Sequence, residues 1–316
     1  MLEENISIYH SKPYLSEYLK YLNLIFGLIG LSLTLVILIS IRQILRKSIG
    51  SHLLICFGIL IVDITLSLGN IILGLAGLVD DKYIVYNQWF CGFVDLVFVG
   101  GGYVSIWYVG LLSLERGLLI IHGISLPSAL WLFMLIVELG LFLSINLIAI
   151  SENQVGLANL GTYCFATFDF YLGSIATYIY YTLMVLSIII TIYSYIGIAV
   201  IQRKRAWQDI ENLHLNKDET LHSANKIIFK VLALLILYLG ANLLEAVIQT
   251  IEITTGEVRS SELDFTSILL TNCNPIVNSI VLVQFHEPVK LALLVKYPIL
   301  ANFISNKALN TNEQVN

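Results

Sequence analysis

The sequence predicts an all-α transmembrane protein, a bundle of seven membrane-spanning helices. Of its 316 residues, 57% are hydrophobic and only 12% are charged, far from the composition of soluble domains. The mean hydropathy is +0.83. Several apolar runs exceed the roughly 18 residues that cross a bilayer as a helix, and a helix satisfies its own backbone hydrogen bonds in lipid.

The apolar runs divide the chain into four parts. Residues 1–19 are a polar N-terminal segment without the basic start of a cleaved signal peptide, and residues 20–285 hold the bundle. Residues 286–297 are predicted as a short amphipathic helix, and residues 298–316 as a tail. The predicted spans are 20–41, 52–78, 90–121, 129–150, 171–201, 225–250 and 262–285.

The basic residues predict the orientation. With the N-terminus outside, only four of the 17 Lys and Arg residues fall on the outer side, which favours an outer N-terminus and a cytoplasmic C-terminus. The lipid bilayer is then the permanent partner. The absence of a basic cluster argues against nucleic acid. Asn5, in an Asn-Ile-Ser sequon, falls outside and is a candidate glycosylation site. The four outer residues are Lys12, Lys20, Lys82 and Arg259.

The chain has four cysteines in two kinds of position. Cys56 and Cys273 lie within spans and are interpreted as small core residues. Cys91 begins the third span, and Cys164 lies between the fourth and fifth spans. Both face the oxidising side in this orientation, so they can pair as a disulfide. Two unrelated free thiols remain the alternative.

The third span has a characteristic residue at each end. From Cys91 to Arg116 the helix rises about 37 Å, enough to cross the membrane. This arrangement, with Glu115 before Arg116, resembles the third helix of rhodopsin-like (class A) G-protein-coupled receptors. In that family a cysteine and an acid–Arg–aromatic motif have the same separation, and Gly117 here replaces the aromatic residue. The resemblance also matches Cys164 to the family's second-loop cysteine.

The last span extends the resemblance. The run Asn274–Asn278, "NPIVN", looks like the family's NPxxY motif with Asn in place of Tyr. Phe285 matches the aromatic residue that begins the family's eighth helix. Pro275 bends the helix, and we expect the amides of Asn272, Asn274 and Asn278 to bond the carbonyls that it frees. The alternative is a permanently kinked helix that contributes only to packing.

The resemblance implies a fold and a function. It implies a plasma-membrane receptor without enzymatic activity, which binds an unknown extracellular ligand and activates a heterotrimeric G protein. Arg116 would contact the G protein, although an interfacial snorkelling anchor is the alternative for this residue. The resemblance implies these coupling and switch residues: Glu115, Arg116, Tyr193, Asn274, Pro275 and Asn278.

A buried polar group is expected in the middle of the bundle. A carboxylate at mid-membrane is costly without partners, and Ser105 and Asn274 stand where they can meet Asp63. In the family such a cluster binds a sodium ion through oxygen ligands. The group is interpreted either as a core whose hydration switches or as a static hydrogen-bonded knot between helices.

Several family features are missing. The sixth span lacks the family's CWxP, the fifth lacks its proline, and the first has no clear GNxxV. The loop between the fifth and sixth spans, roughly Gln202 to Asn225, carries no decisive motif for a G-protein subtype. These departures affect the activation route more than the fold.

The outer half of the bundle is the expected ligand site. Phe98 occupies the position where amine receptors of the family carry Asp, which disfavours their usual pocket. The last span has no lysine, so retinal is not expected as a cofactor. By depth, the candidate ligand contacts are Asp95, Phe98, Tyr103, Tyr178, Asn242, Glu245 and Asp264.

Two other function classes compete. A secondary transporter would use the membrane acids Asp63, Asp95, Glu138 and Glu245, but inverted repeats are not evident. An intramembrane hydrolase would need a motif such as HExxH or GxSxG, and neither occurs.

Overall fold

The protein is a bundle of seven long helices, as predicted. A computed structural model describes residues 13–45, 50–80, 83–158, 160–166, 171–285 and 287–297. Asn5 and the tail 298–316 lie outside these residues, so the glycosylation site stays a prediction. Seven described helices are long and apolar enough to cross a membrane. Spans 1 to 7 are Tyr14–Arg42, Ser51–Val79, Gln88–Ile121, Ser128–Ser151, Tyr171–Leu213, Lys217–Thr255 and Ser261–Gln284.

Some helices contain more than one segment. Span 1 belongs to a helix that runs from Pro13 to Leu45. Span 3 changes to a π-helix for five residues, and span 7 is interrupted by a turn. The segments of span 3 are Gln88–Val94, Asp95–Val99 and Gly100–Ile121, those of span 7 are Ser261–Thr271 and Asn274–Phe285, and two short helices are Tyr83–Tyr86 and Glu287–Lys296.

Spans 5 and 6 are longer than the sequence predicts. Their helices reach Leu213 and begin at Lys217, so the predicted loop from Gln202 to Asn225 is mostly helical. Hydropathy marks only the apolar part of a helix, whereas Gln, Arg, Lys and Glu continue it into the polar region. Asn216 then caps span 6, because its side-chain oxygen accepts from the backbone N–H of Asp218 at 3.0 Å.

A β-hairpin closes one end of the bundle. Strands β1 (Val155–Leu157) and β2 (Cys164–Ala166) pair antiparallel, with Leu157 opposite Cys164. Cys164 forms the predicted disulfide with Cys91, which fixes the hairpin to span 3. Leu157 and Tyr163 are buried in the same apolar cluster as Cys91. We call this the hairpin end, and the end that carries Arg116 the opposite end.

Span 3 is the central helix of the bundle. Trp107, Tyr108 and Leu112 are each at most 3% exposed, and the neighbouring spans pack around them. The Tyr108 hydroxyl donates to the backbone carbonyl of Leu135 in span 4 at 2.9 Å. Span 4 is the most peripheral of the seven helices. Span 3 therefore runs from one end of the molecule to the other and packs against most of the other spans.

Two glycines let helices approach span 3 closely. A Cβ atom on Gly100 would overlap the ring of Phe142 in span 4. A Cβ atom on Gly117 would lie 2.6 Å from the Ser194 hydroxyl in span 5, so a larger side chain after Arg116 would clash with span 5. Small residues at such contacts are typical of helix packing in membranes.

We predict that Gly100→Ala destabilises the protein by about 1–3 kcal/mol, because the added methyl group must displace the Phe142 ring. The measurement is thermal unfolding of the purified protein in nanodiscs. Gly240→Ala is the matched control, since a Cβ atom there meets nothing within 4 Å. Alanine is the better helix former, so the control should be neutral or slightly stabilising. Equal effects of the two substitutions would contradict the packing argument.

Candidate functional site

Span 7 is interrupted in the middle of the bundle. Its helix stops at Thr271 and restarts at Asn274, with Pro275 in the first turn of the new segment. The amide groups near this break do not bond the carbonyls that proline frees, contrary to the prediction. Each donates instead to a side chain on another span. The break therefore presents polar groups to the rest of the bundle.

Three amides connect span 7 to four other spans. Asn272 donates to Asn23 in span 1 at 2.7 Å, and Asn274 donates to Asn242 in span 6 at 2.8 Å. Asn278 donates to Asp63 in span 2 and to Ser105 in span 3. Such buried amide bonds hold the helices in one register, since an unpaired amide in an apolar interior is costly.

Asp63 lies in a fully buried polar group, which we call the Asp63 knot and which consists of Asp63, Ser105 and Asn278. The Ser105 hydroxyl donates to Asp63 Oδ1 at 2.7 Å. The Asn278 amide lies 3.1 Å from both carboxylate oxygens and 2.8 Å from Ser105 Oγ. The prediction that Asn274 joins this group is wrong. Asn274 faces span 6, because the two asparagines leave the bent helix in different directions.

The Asp63 knot suits hydrogen bonding better than cation binding. Hard cations take oxygen ligands, about six or more for an ion such as calcium. Here Asn278 turns an N–H group toward the carboxylate, so Asp63 and Ser105 are the members that offer oxygen to an ion. The sodium ion stays a prediction.

The arrangement predicts a specific coupling. In a double-mutant cycle, Asn278→Ala and Asp63→Ala should show an interaction free energy of about 1–3 kcal/mol, because each removes the other's buried partner. The control cycle pairs Asn274→Ala with Asp63→Ala, which should add to within about 0.5 kcal/mol. Unfolding of all variants in nanodiscs gives both numbers. Stronger coupling through Asn274 would reject the assignment.

At the opposite end, the neighbouring residues Glu115 and Arg116 lie in two different environments. Glu115 is 7% exposed and accepts a hydrogen bond from the Ser51 hydroxyl at 2.7 Å, which ties span 3 to the start of span 2. Arg116 is half-buried, and its charge lies close to Tyr195. Tyr195 in turn hydrogen-bonds Ser113. The charge of Arg116 also acts on Cys56, so the guanidinium lies close to spans 2 and 5.

Tyr195, and not the predicted Tyr193, faces Arg116. Tyr195 is 3% exposed, whereas Tyr193 is 56% exposed on the outer side of span 5. Tyr193 pairs with His122, with 3.0 Å between its hydroxyl and the ring nitrogen Nε2. Two residues along a helix turn by about 200°, so neighbouring tyrosines point to opposite faces.

A cavity of about 790 Å³, including its open mouth, lies at the hairpin end. Spans 3, 5, 6 and 7 form its walls and the hairpin covers it. The π-helical segment of span 3 contributes Asp95 and Phe98, and such segments are frequent at functional sites. Of the predicted ligand contacts, Asp95, Phe98, Tyr103 and Glu245 line this cavity.

Three predicted contacts lie elsewhere. Tyr178 is 49% exposed on the outer surface of span 5, so it faces away from the cavity. Asn242 is fully buried and bonds Asn274 and the Tyr238 carbonyl. Asp264 lies behind the cavity wall, where it accepts a hydrogen bond from Tyr163. The sequence places a residue along its helix but does not fix the face of the helix on which it lies.

A charged network centred on Arg259 forms one wall. The guanidinium nitrogen Nη1 lies 2.8 and 3.1 Å from the two carboxylate oxygens of Glu245. Nη2 and Nε lie 2.6 and 2.9 Å from the two carboxylate oxygens of Glu252. Asp264 is 3.7 Å from Nη1. Ser267 also donates to Glu245. One buried cation therefore holds carboxylates from spans 6 and 7 together.

The network fixes the protonation of its two members outside the helices. Burial alone would lower the pKa of Arg259, but Glu245 and Glu252 raise it above its already high ordinary value. The guanidinium therefore stays charged at any physiological pH. Burial and the neighbouring Asp264 raise the pKa of Tyr163 well above its ordinary value. The Tyr163 hydroxyl therefore stays protonated, and it donates a hydrogen bond to Asp264.

Sequence reasoning missed part of the cavity, although one signal was present. Glu245, Gln249 and Glu252 recur at positions i, i+4 and i+7 of span 6, which places them on one helix face. Arg259 has no such pattern, because a turn at Gly256 (φ 70°) folds it back onto that face. The aromatic wall residues that were missed are Tyr163, Phe165 and Tyr180.

Comparison with known proteins gives the family. In a search of curated proteins, none matches the chain. The family model described as 7 transmembrane receptor (rhodopsin family) matches residues 32–281, most of the sequence and nearly the whole bundle. The match agrees with the seven spans and with the disulfide between Cys91 and Cys164. The chain is therefore a member of the rhodopsin family of seven-transmembrane receptors.

Proposed function

We propose that this receptor binds an extracellular ligand in the cavity at the hairpin end and activates a heterotrimeric G protein at the opposite end. Membership of the rhodopsin family supports both partners in general terms, and receptors of this family are generally not enzymes. The proposal adds the location of the two sites and the residues that connect them.

The observation that carries the proposal is the continuity of span 3. This one helix supplies Asp95, Phe98 and Tyr103 to the cavity, Ser105 to the Asp63 knot and Arg116 to the opposite end. A change in the cavity wall therefore reaches Arg116 through a single, densely packed helix. A ligand that prefers one arrangement of the surrounding spans shifts the population of states at both ends.

The orientation in the membrane follows from chemistry at the two ends. A disulfide persists in an oxidising compartment, which favours the outside for the hairpin end. At the opposite end, span 5 carries Arg203, Lys204 and Arg205 in succession, which favours the cytoplasm. The proposed location is the plasma membrane, with the ligand arriving from outside.

The proposed activation step uses a contact between spans 6 and 7. Span 6 lacks the tryptophan and proline that the family uses, but Asn242 bonds Asn274 beside the break in span 7. Outward movement of the cytoplasmic half of span 6 would strain this bond. It would also open the space beside Arg116, whose guanidinium would then meet the backbone of the G protein.

Nucleotide release tests the proposal. The purified full-length receptor in nanodiscs, screened with a compound library, should speed GDP release from at least one class of heterotrimeric G protein. The same protein in proteoliposomes should move none of the active compounds across the bilayer. Uptake of a compound without any effect on GDP release would favour a transporter and reject the proposal.

A further inference from the structure

The cavity at the hairpin end has an excess of negative charge. Among the described residues that line it, Asp95, Glu245 and Glu252 are acids, and Arg259 is the one base. Asp264 adds a further carboxylate behind the wall. Carboxylates buried at this depth are costly unless cations compensate them. One guanidinium does not balance this set, so the wall favours an incoming positive charge.

The existing cation is already engaged. Arg259 makes paired contacts with Glu245 and Glu252, which use Nε and both terminal nitrogens. Paired contacts of this type are the strong geometry of arginine–carboxylate recognition. An anionic ligand would have to displace one of these carboxylates and then lie beside it. The cavity therefore disfavours carboxylate and phosphate ligands.

Gln249 adds an independent requirement for a hydrogen-bond donor. Its side chain lines the cavity and is 3% exposed, and its amide nitrogen donates to Tyr103 and Glu245. Its Oε1 atom is buried and has no hydrogen-bond partner among the described residues. A buried acceptor left unpaired is costly, and an N–H group from a ligand would satisfy it.

Aromatic rings complete the cavity. Phe98 and Tyr163 meet edge to face with centroids 5.8 Å apart, and Tyr103 stacks on Tyr180 at 5.3 Å. Aromatic faces attract cations and also bury an apolar body. The hairpin covers the cavity through Tyr163 and Phe165, which leaves room for a small molecule and not for a folded partner.

We infer that the ligand is a small organic cation with N–H donors, an amine or a guanidine on an apolar or aromatic body. This inference rests on the proposed ligand site and names its chemistry. The charge is received by Asp95, and the donor is received by Gln249. Phe98 stands where amine receptors of the family have an acid, and the cavity acid nearest to it in span 3 is Asp95, three residues earlier.

Direct binding tests the inference without a G protein. The probes are short arylalkyl amines and guanidines, with alcohols and carboxylates of the same carbon skeleton as controls. Titration calorimetry and thermal unfolding of the full-length receptor in nanodiscs report binding. We expect the best cation to bind at least about tenfold more tightly than its alcohol, and the carboxylates not to stabilise the receptor.

Two variants locate the site, and a third controls for charge. Asp95→Asn and Gln249→Met should each weaken cation binding about tenfold, because each removes one acceptor from the cavity. Glu257→Gln removes the same charge from an exposed turn near the cavity and should leave affinity unchanged. If Asp95→Asn and Glu257→Gln lower the cation affinity equally, the effect comes from the overall charge of the receptor and not from a contact in the cavity. That result would overturn the inference.

The outcomes separate this inference from the proposed function. Cations that bind in a manner dependent on Asp95 but never alter GDP release support the ligand class and reject signalling. A carboxylate that activates a G protein supports signalling and rejects the ligand class. If no amine or guanidine stabilises the receptor, the ligand class is wrong.

Discussion

Replacing Arg259 with methionine should prevent most of the receptor from folding. The substitution keeps the apolar stem but leaves Glu245, Glu252 and Asp264 close together without their cation. Removing one partner of a buried ion pair typically costs about 3–5 kcal/mol, a large part of the stability of most proteins. Surface expression should fall sharply, and the fraction that does fold should unfold in nanodiscs at a much lower temperature.

The charge itself, and not the volume, should explain this loss. Arg259→Lys should be intermediate, because lysine restores a charge but not the paired contacts with two carboxylates. Adding Glu252→Gln to Arg259→Met should recover part of the stability by removing one uncompensated acid. Arg205→Met, at an exposed position of span 5, is the matched control and should change stability by less than about 0.5 kcal/mol.

If Arg259→Met unfolds no more readily than the control, the network does not exist as described. The ligand inference would then lose its argument that the cavity's own cation is engaged. If Glu252→Gln gives no recovery, the loss comes from packing of the arginine stem and not from its charge. These results thus decide which part of the charged wall holds spans 6 and 7 together.

The number and order of the spans are readable from the sequence because hydropathy reports transfer into lipid. A run such as 52–78 differs from the helix Ser51–Val79 by one residue at each end. The same property explains the error at Gln202 to Asn225, where the chain leaves the lipid but remains helical. Hydropathy marks where a helix leaves the membrane and does not mark where it ends.

Faces of helices were harder to predict than depths. Asp63 and Ser105 meet as expected, since each belongs to a regular helix at a known distance from Cys91 or Arg116. Asn274 and Asn278 lie in a helix that restarts after a break, and the direction of the new segment depends on its packing against spans 1 and 6. That packing is a tertiary property, so the sequence alone assigned the wrong asparagine.

The cavity shows the same limit. Asp95, Phe98 and Glu245 were predicted because they lie at the right depth on predicted helices. Arg259 was counted only as an outer basic residue, since its role arises when a short connection folds back onto span 6. Contacts made by connections between helices depend on loop closure, which no periodic pattern in the sequence reports.

Replacing Arg116 with alanine should reduce G-protein activation at least tenfold, to about the basal rate, without loss of surface expression. Arg116 is half-buried at the end of span 3, so truncating it removes little packing. What it removes is the guanidinium that would meet the docked G protein. GDP release from purified heterotrimers, normalised to the amount of receptor in nanodiscs, measures the effect.

Two tyrosines provide a matched pair for the same prediction. Tyr195→Phe removes a hydroxyl that bonds Ser113 close to Arg116, and it should lower activation several-fold. Tyr193→Phe removes a hydroxyl on the exposed side of span 5 and should have no effect on activation. Both variants lose the same atom from the same helix, so a difference in activation per folded receptor reports the face of span 5.

These variants also distinguish a coupling residue from a membrane anchor. An arginine that only anchors span 3 at the interface would lose expression on truncation, and each remaining receptor would still activate normally. A coupling arginine gives the reverse pattern, with normal expression and little activation per receptor. Full activation by Arg116→Ala would move the G-protein contact away from span 3. The continuity of span 3 from the cavity to Arg116 would then be a feature of helix packing, and it would not couple the ligand site to the G protein.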